Sequence, residues 1–167
     1  MNVRRAEKSD IELIRQLADV AFRDTYKDIL SADQMEYMME WMYSSESMEG
    51  QMDEGHVYFI VSDGNRNVGY LSLEPQGSTE GVNVYHLQKL YLLPEEQGKG
   101  YGRRMFQFAV DYVRGQGNLP SRIELNVNRN NTALTFYEHL GMRRLCQGDF
   151  PIGNGYFMND YIMGYDV

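Results

Sequence analysis

The sequence is poor in the residues that crosslink a chain or hold it in a membrane. Its one cysteine, Cys146, excludes an internal disulfide framework and is typical of a reducing compartment. No apolar run approaches the roughly 20 residues that a membrane span needs, and the opening residues lack the apolar segment of a signal peptide. We therefore expect a cytoplasmic protein with no membrane partner, and a buried or half-buried strand position for Cys146.

Positive charge is also scarce. The chain has 16 Lys and Arg against 24 Asp and Glu, a net charge of −8. This balance argues against nucleic acid as a partner and weakly favours cationic small molecules, which an acidic surface attracts. The three histidines form no cluster with Cys, Asp or Glu at metal-ligand spacing, so we expect no metal.

The 167 residues suffice for one domain, 1–167, with a substantial core. Apolar periodicity predicts strands near 3–6, 56–62, 68–74, 82–93, 122–127, 143–150 and 156–165, and helices starting near 10, 31, 45, 101 and 131. Capping boxes are predicted at 9–12 and 31–34, and polar loops at 75–81 and 151–155. Because strands and helices alternate too irregularly for a doubly wound sheet, we expect an α/β fold whose mixed sheet carries helices on both faces.

The most informative stretch is residues 86–104, HLQKLYLLPEEQGKGYGRR. An apolar strand leads through a proline into a glycine-rich turn at 97–102, and a helical pattern follows directly. A strand, glycine turn and helix aim backbone N–H groups and the helix N-terminus at an anion, and Lys99, Arg103 and Arg104 add positive charge. The spacing is neither the Gly-x-Gly-x-x-Gly dinucleotide fingerprint nor a P-loop. Alone, it predicts a diphosphate site of unknown ligand.

A second block, about thirty residues later, narrows that interpretation. Residues 130–142 read NNTALTFYEHLGM. Together with Gln97-x-x-Gly100-x-Gly102, this block resembles the motifs of the GNAT superfamily of acetyl-CoA-dependent N-acetyltransferases, with Met142 in place of the usual aromatic residue. The segments FRDTY at 22–26, LQKLY at 87–91 and IGNGYFMNDYIM at 152–163 are similar to the polyamine-acetyltransferase-like (PaiA-like) branch of that superfamily.

The resemblance implies a GNAT-like, mostly antiparallel sheet of about seven strands, splayed between strands 4 and 5. It implies that the backbone of Leu90, Tyr91 and Leu92 pairs with the pantetheine arm of acetyl-CoA. Main-chain N–H groups would hold the pyrophosphate at Gln97, Gly98, Lys99, Gly100, Tyr101, Gly102 and Arg103. Either Asn130 or Asn131 would hydrogen-bond the cofactor. Tyr137 would protonate the departing thiolate, because a phenol with a pKa of ~10 is a suitable acid.

Acetyl transfer also needs a deprotonated acceptor amine, which a general base within reach would supply. His86 lies on the same strand as Leu92, and alternation puts residues 86, 88, 90 and 92 on one face. An imidazole pKa of ~6.5 suits the task. The alternative interpretation is an ordinary strand histidine, which the residues alone favour slightly. Glu124, on the next strand, is the rival base, and Glu74 is a weaker one.

The sequence therefore predicts an acetyl-CoA-dependent N-acetyltransferase of the EC 2.3.1 class. The acceptor would be a primary amine of a small, polyamine-like molecule or of a peptide, and it would attack directly in a ternary complex. The alternative is a CoA- or acyl-CoA-binding sensor or pseudoenzyme without transfer activity. A homodimer is expected by analogy alone.

Overall fold

Seven strands form one sheet in the order β1-β2-β3-β4-β5-β7-β6 in the computed structural model, which describes residues 1–167. The strands are β1 (Asn2–Arg5), β2 (Val57–Asp63), β3 (Arg66–Thr79), β4 (Val82–Leu92), β5 (Ser121–Asn128), β6 (Arg143–Gly153) and β7 (Tyr156–Asp166). The helices are α1 (Ile11–Tyr26), α2 (Ala32–Tyr43), α3 (Ser45–Asp53), α4 (Tyr101–Arg114) and α5 (Ala133–His139). The β4–β5 pair is parallel, whereas β1–β2, β2–β3, β5–β7 and β6–β7 are antiparallel. The predicted mixed, mostly antiparallel sheet is confirmed.

Internal contacts divide the chain into two compact units. Unit 1 comprises Met1–Glu74 and Leu87–Ala109, and unit 2 comprises Pro75–His86 and Val110–Val167. The single domain expected for 1–167 stays a prediction. None of the five helices is both long and apolar enough to cross a membrane.

Unit 1 carries helices on both faces of its strands. Neighbouring residues of β2 point to opposite sides: the Tyr58 hydroxyl donates a hydrogen bond to Gln51 of α3, and the Phe59 ring packs 4.8 Å from that of Phe108 in α4. Helix α1 turns one apolar stripe inward, and the buried members of that stripe are Ile11, Ile14, Leu17, Ala18, Ala21, Phe22 and Tyr26. The predicted arrangement of helices on both faces holds for this unit.

Unit 2 is organised around β5, whose side chains alternate strictly between two environments. Ile123, Leu125 and Val127 are buried. The intervening positions are polar and only half-buried: Arg122, Glu124, Asn126 and Asn128. One face of β5 is therefore core, and the other is a polar surface that can serve chemistry. We call these four residues the polar face of β5.

Two predicted loops are wrong, because both segments are strand almost to their turns. Strand β3 continues through 75–79 and β6 through 151–153. The turns that follow are two residues long, Glu80–Gly81 and Asn154–Gly155, and every one of these residues has positive φ. Such tight turns match the twist of antiparallel strands, so two residues are enough to connect each pair of strands.

The start of α1 and the exposure of Cys146 also differ from the predictions. The capping box predicted at 9–12 is wrong, because a tight turn at Lys8–Asp10 precedes α1 and the box is formed by Glu7 and Asp10. Ser31 does cap α2, since its hydroxyl accepts the Gln34 N–H. Cys146 is exposed, whereas a buried or half-buried position was expected; it lies on β6, one of the two edge strands of the sheet.

Candidate active site

The glycine-rich turn of unit 1 presents a row of free backbone donors. Gly98 and Gly100 have φ of 78° and 86°, values that favour glycine. The prediction for the Gln97 N–H is wrong, because this group donates to the Pro94 carbonyl at 3.3 Å. None of the backbone N–H groups of residues 98–103 makes a hydrogen bond within the protein, whereas the next one, of Arg104, donates to the Gly100 carbonyl. Successive free N–H groups at the start of a helix form a concave anion site. Beside Gly98 and Gly100 lies open space, so a ligand can approach the backbone closely.

Cations surround this turn, but not all of them are available to a ligand. The Lys99 ammonium lies 3.0 Å from the buried carboxylate of Glu96, which also binds the Arg66 guanidinium at 2.7 Å. Arg103 and Arg104 are exposed and make no ion pair. The charge that can respond to an anion therefore comes mainly from the two arginines at the start of α4, while Glu96 anchors the turn to Arg66 at the start of β3.

The tyrosine of the turn has a structural partner of its own. The Tyr101 hydroxyl donates a hydrogen bond to Asp63 at the end of β2, and this contact raises the pKa of the phenol. The side chain is thereby fixed on the protein, and the group that Tyr101 offers to a ligand is its backbone N–H.

The final part of β4 lies on an aromatic cluster. Leu90 and Tyr91 are half-buried and Leu92 is buried. The Tyr91 ring packs 5.7 Å from Phe22 and 5.6 Å from Tyr70, and its hydroxyl lies 3.3 Å from that of Tyr26. Helix α1 and the neighbouring strand thus hold β4 rigidly at the positions predicted to pair with pantetheine.

A buried lysine stands within that same strand. The Lys89 ammonium donates to the Tyr58 hydroxyl at 2.7 Å and to Gln51 Oε1 at 3.1 Å, and it lies 5.4 Å from the centre of the Tyr43 ring. Burial lowers the pKa of Lys89 to about 7, and Glu74 opposes part of that shift. The sequence analysis did not predict that Lys89 is buried, although Lys89 shares one face of the strand with Leu87 and Tyr91, which indicates an inward-facing position.

Glu74 is engaged on both of its oxygens. Gln88 Nε2 donates to Oε2 at 2.6 Å, and His56 Nε2 lies 3.5 Å from Oε1. Burial lowers the pKa of His56, while Glu74 acts in the opposite direction. The Nδ1 atom of His56 is buried without a hydrogen-bond partner. Glu74, a predicted rival base, is therefore part of a structural network in unit 1.

Unit 2 brings His86 and Glu124 side by side. They are partners in the parallel β4–β5 ladder, which joins Asn83–His86 to Ser121–Glu124. His86 is half-buried. The Glu124 carboxylate accepts two hydrogen bonds from the Arg122 guanidinium, at 3.1 and 3.2 Å. Because the Arg122 guanidinium already occupies the Glu124 carboxylate, this pairing favours His86 over Glu124 as the group that contacts an acceptor.

The second motif folds as a turn that leads into α5. Asn131 Oδ1 accepts the Ala133 N–H at 2.9 Å, which fixes the start of the helix. The Asn130 side chain is exposed and has no partner. Tyr137 is buried on α5 with its ring 5.2 Å from that of Phe136. Asn131 thus has a structural role that leaves its amide nitrogen for a ligand, and Asn130 offers a whole amide.

Comparison with known proteins identifies the family to which this chain belongs. A model of the acetyltransferase (GNAT) family matches residues 12–142. The chain belongs to the GNAT family of acetyltransferases. The N-acetyltransferase YuaI of Bacillus subtilis is 26% identical over 157 residues, which cover 91% of this chain and 86% of YuaI. YjgM of Escherichia coli is 29% identical over 99 residues, 59% of this chain and 56% of YjgM.

Solved structures give the same fold. The PaiA N-acetyltransferase of Thermoplasma acidophilum in complex with coenzyme A has a TM-score of 0.79 at 20% identity, covering 99% of this chain and 98% of that one. A mutant of the spermidine N-acetyltransferase SpeG of Vibrio cholerae has a TM-score of 0.66 at 20% identity, covering 99% and 92%. At these identities the likeness establishes the GNAT fold alone.

Proposed function

We propose that the protein is an acetyl-CoA-dependent N-acetyltransferase acting on a primary amine. The observation that carries the proposal is the turn at 98–103, whose free N–H groups and unpaired Arg103 and Arg104 suit a diphosphate. The family supplies the acetyl donor: family membership and the coenzyme A bound by the PaiA structure both point to CoA.

The residues divide the work as follows. The turn from Gly98 to Arg103 binds the pyrophosphate, the backbone of Leu90–Leu92 pairs with the pantetheine arm as an added strand would, and Asn130 or Asn131 adds a side-chain hydrogen bond. Acetyl-CoA supplies an activated acyl group as a thioester. The acceptor amine attacks directly, since the site offers no nucleophile of its own.

Three proton transfers accompany that attack. A base removes a proton from the acceptor ammonium, and His86, half-buried on β4, is one candidate for that step. Tyr137 donates its phenolic proton to the departing thiolate, and the second proton of the attacking nitrogen, lost as the amide forms, restores the Tyr137 phenol. A backbone N–H near Leu90 or Tyr91 stabilises the negative charge that develops on the carbonyl oxygen.

The acceptor is proposed as a small primary amine of the polyamine type. The net charge of −8 and the likeness to PaiA and SpeG support it. A cytoplasmic location and a homodimer are proposed with it, the first on the single free thiol of Cys146 and the second by analogy.

A panel of amines with acetyl-CoA, followed by detection of free thiol, tests the function. Diamines and polyamines, monoamines and peptides with free N-termini form the panel, and a reaction without amine measures hydrolysis. We expect amine-dependent thiol release. Tight CoA binding without acetylation of any amine would contradict the proposal and favour a sensor.

A further inference from the structure

Asp160 is a carboxylate buried in the middle of a sheet. It lies on β7, where its register partners are Asn128 of β5 and Gly148 of β6. Its exposed fraction is 1%. Aspartate is rarely this buried unless it is paired with a charge or fully hydrogen-bonded, so its surroundings need an explanation.

Those surroundings leave one oxygen unused. The Oδ2 atom accepts a single, long hydrogen bond of 3.3 Å from Asn126 Nδ2. The Oδ1 atom is buried and has no partner. The guanidinium of the nearby Arg129 donates its hydrogen bonds to the Gly148 carbonyl and to the Asp149 carboxylate. A buried acceptor without a donor is costly in a stable protein and is often retained at a site of chemistry.

The environment makes this carboxylate a better base than an ordinary aspartate. Burial raises the pKa of Asp160, and the Asn126 hydrogen bond and Arg129 only partly oppose it. A general base is most effective when its pKa lies near the working pH. Among the carboxylates of unit 2, Glu124 is held by Arg122, whereas Asp160 has no ion pair.

The register places Asp160 on the side of the sheet where the other candidates lie. Asp160 is opposite Asn128, and alternation puts Asn128 and Glu124 on the same face of β5. His86 joins them as the partner of Glu124. The charged group that acts on Asp160 is Arg129. The register puts further titratable and charged residues on this side, at other positions along the strands: His86, Arg122, Glu124, Arg143, Cys146 and Asp166.

A neighbouring ring covers this part of the face. The ring of Phe150 lies so close to Gly148 that a Cβ atom there would come within 2.8 Å of it. Gly148 is the partner of Asp160 on β6. The ring therefore lies on the face that carries Asp160, next to its register partner, and Phe150 belongs to the far end of the β6–β7 hairpin, beyond the last residue of β5.

We propose that Asp160 is the proton acceptor of the transferase, acting through Oδ1 on the acceptor ammonium directly or through one water. The step breaks an N–H bond of the ammonium and forms an O–H bond on Asp160, and the electron pair stays on the nitrogen, which then attacks the thioester. The proton leaves Asp160 for solvent after the product departs. This inference rests on the proposed function and makes His86 an auxiliary group on the same face.

The test compares the pH dependence of kcat in wild type, Asp160→Asn and Asp166→Asn. The control changes an exposed carboxylate of the same strand. We expect Asp160→Asn to lower kcat about 100-fold or more at pH 7, to abolish the acidic limb of the profile, and to leave the Kd for CoA unchanged. Asp166→Asn should match wild type. Wild-type kcat and pH profile in a folded Asp160→Asn protein would overturn the inference while leaving the transferase standing.

A second measurement needs no variant and so does not depend on the folding of Asp160→Asn. Wild-type kcat profiles are recorded with amines of different basicity. If the protein takes the proton, the acidic limb stays at one pH across the series. A limb that moves with the pKa of each amine would overturn the inference. If no amine is acetylated at all, the proposed function itself fails and the inference falls with it.

Discussion

Single residues in this chain show two ways of burying a charge. The ammonium of Lys89 is surrounded by neutral acceptors and aromatic faces, with Tyr58 and Gln51 as hydrogen-bond partners. The carboxylate of Asp160 accepts one long hydrogen bond on Oδ2, and its Oδ1 atom has no hydrogen-bond partner. The first arrangement stabilises β4 against α3, whereas the second leaves a reactive group without a structural task. Burial alone therefore does not reveal a role, and the partners have to be counted.

Lys89 should make stability depend on pH. Its pKa is about 7 in the folded chain against an ordinary value of 10.5, so the unfolded chain binds more protons between these values. The free energy of unfolding therefore rises with pH in this window, by at most about 1.4 kcal/mol per pH unit. Urea unfolding of wild type and Lys89→Met between pH 7 and pH 9 measures the difference.

The matched control for Lys89 is Lys27→Met, which changes an exposed lysine. It should keep the wild-type slope, whereas Lys89→Met should lose the part that this one group contributes. Parallel curves for wild type and Lys89→Met would show that Lys89 does not titrate in this range.

Tyr137 should affect turnover and spare binding. Its proposed task is to protonate the thiolate, which Tyr137→Phe abolishes while keeping the ring that packs against Phe136. We expect kcat to fall about 100-fold and the Kd for CoA to change less than about threefold, as measured by steady-state kinetics and calorimetry. Phe136→Leu serves as a packing control. Unchanged turnover in Tyr137→Phe would remove Tyr137 from the mechanism.

At the scale of elements, the turn at 98–103 depends on backbone conformation more than on side chains. Its donors are main-chain groups, and positive φ at Gly98 and Gly100 directs them outward. The buried Glu96 ties the preceding turn to Arg66 and Lys99. Replacing Gly98 or Gly100 by a larger residue should therefore change ligand affinity, even though an added Cβ would meet no protein atom within 4 Å.

Gly100→Ala tests this dependence. Its φ of 86° is strained for alanine, so we expect a loss of about 1 kcal/mol in stability and a roughly tenfold higher Kd for CoA, equivalent to about 1.4 kcal/mol. The control is Gly50→Ala inside α3, where the added Cβ meets nothing within 4 Å. Gly50→Ala should gain about 0.5–1 kcal/mol and keep the Kd. Equal CoA affinity in both variants would contradict the main-chain role of the turn.

The elements also show what local patterns can predict. Helices α2, α3 and α4 begin within about a residue of the predicted positions, because capping residues, Gly and amphipathic spacing are local signals. The ends of β3 and β6 were wrong because a two-residue turn of positive φ leaves no polar loop to read. The turn at 97–102 was recognisable from its glycines. Asp160 was not, since its hydrogen bond from Asn126 and its position opposite Gly148 arise only when the strands pair.

For the whole molecule, the boundary between the two units falls inside strands. Strand β3 includes both Glu74 and Pro75, and β4 includes both His86 and Leu87. No linker separates the units, so loss of one should break the strands of the other. This continuity is why we still propose one domain.

Calorimetry tests that proposal. We expect one unfolding transition whose calorimetric and van't Hoff enthalpies agree. Coenzyme A at about 100 times its Kd should raise the free energy of unfolding by about 2.7 kcal/mol and shift the whole transition. Two resolved transitions, with only one of them moved by coenzyme A, would contradict a single cooperative domain.

The strand order has a consequence for how the chain is made. Strand β7 lies between β5 and β6, yet it follows both of them in the sequence. On the ribosome, β5 and β6 therefore emerge before the strand that joins them, and the edge of β5 that β7 will cover stays open until then. Pairing across this distance is slow relative to local hairpins. Nascent chains would therefore aggregate, or bind a chaperone, through the open edge of β5 and the apolar side chains of Ile123, Leu125 and Val127.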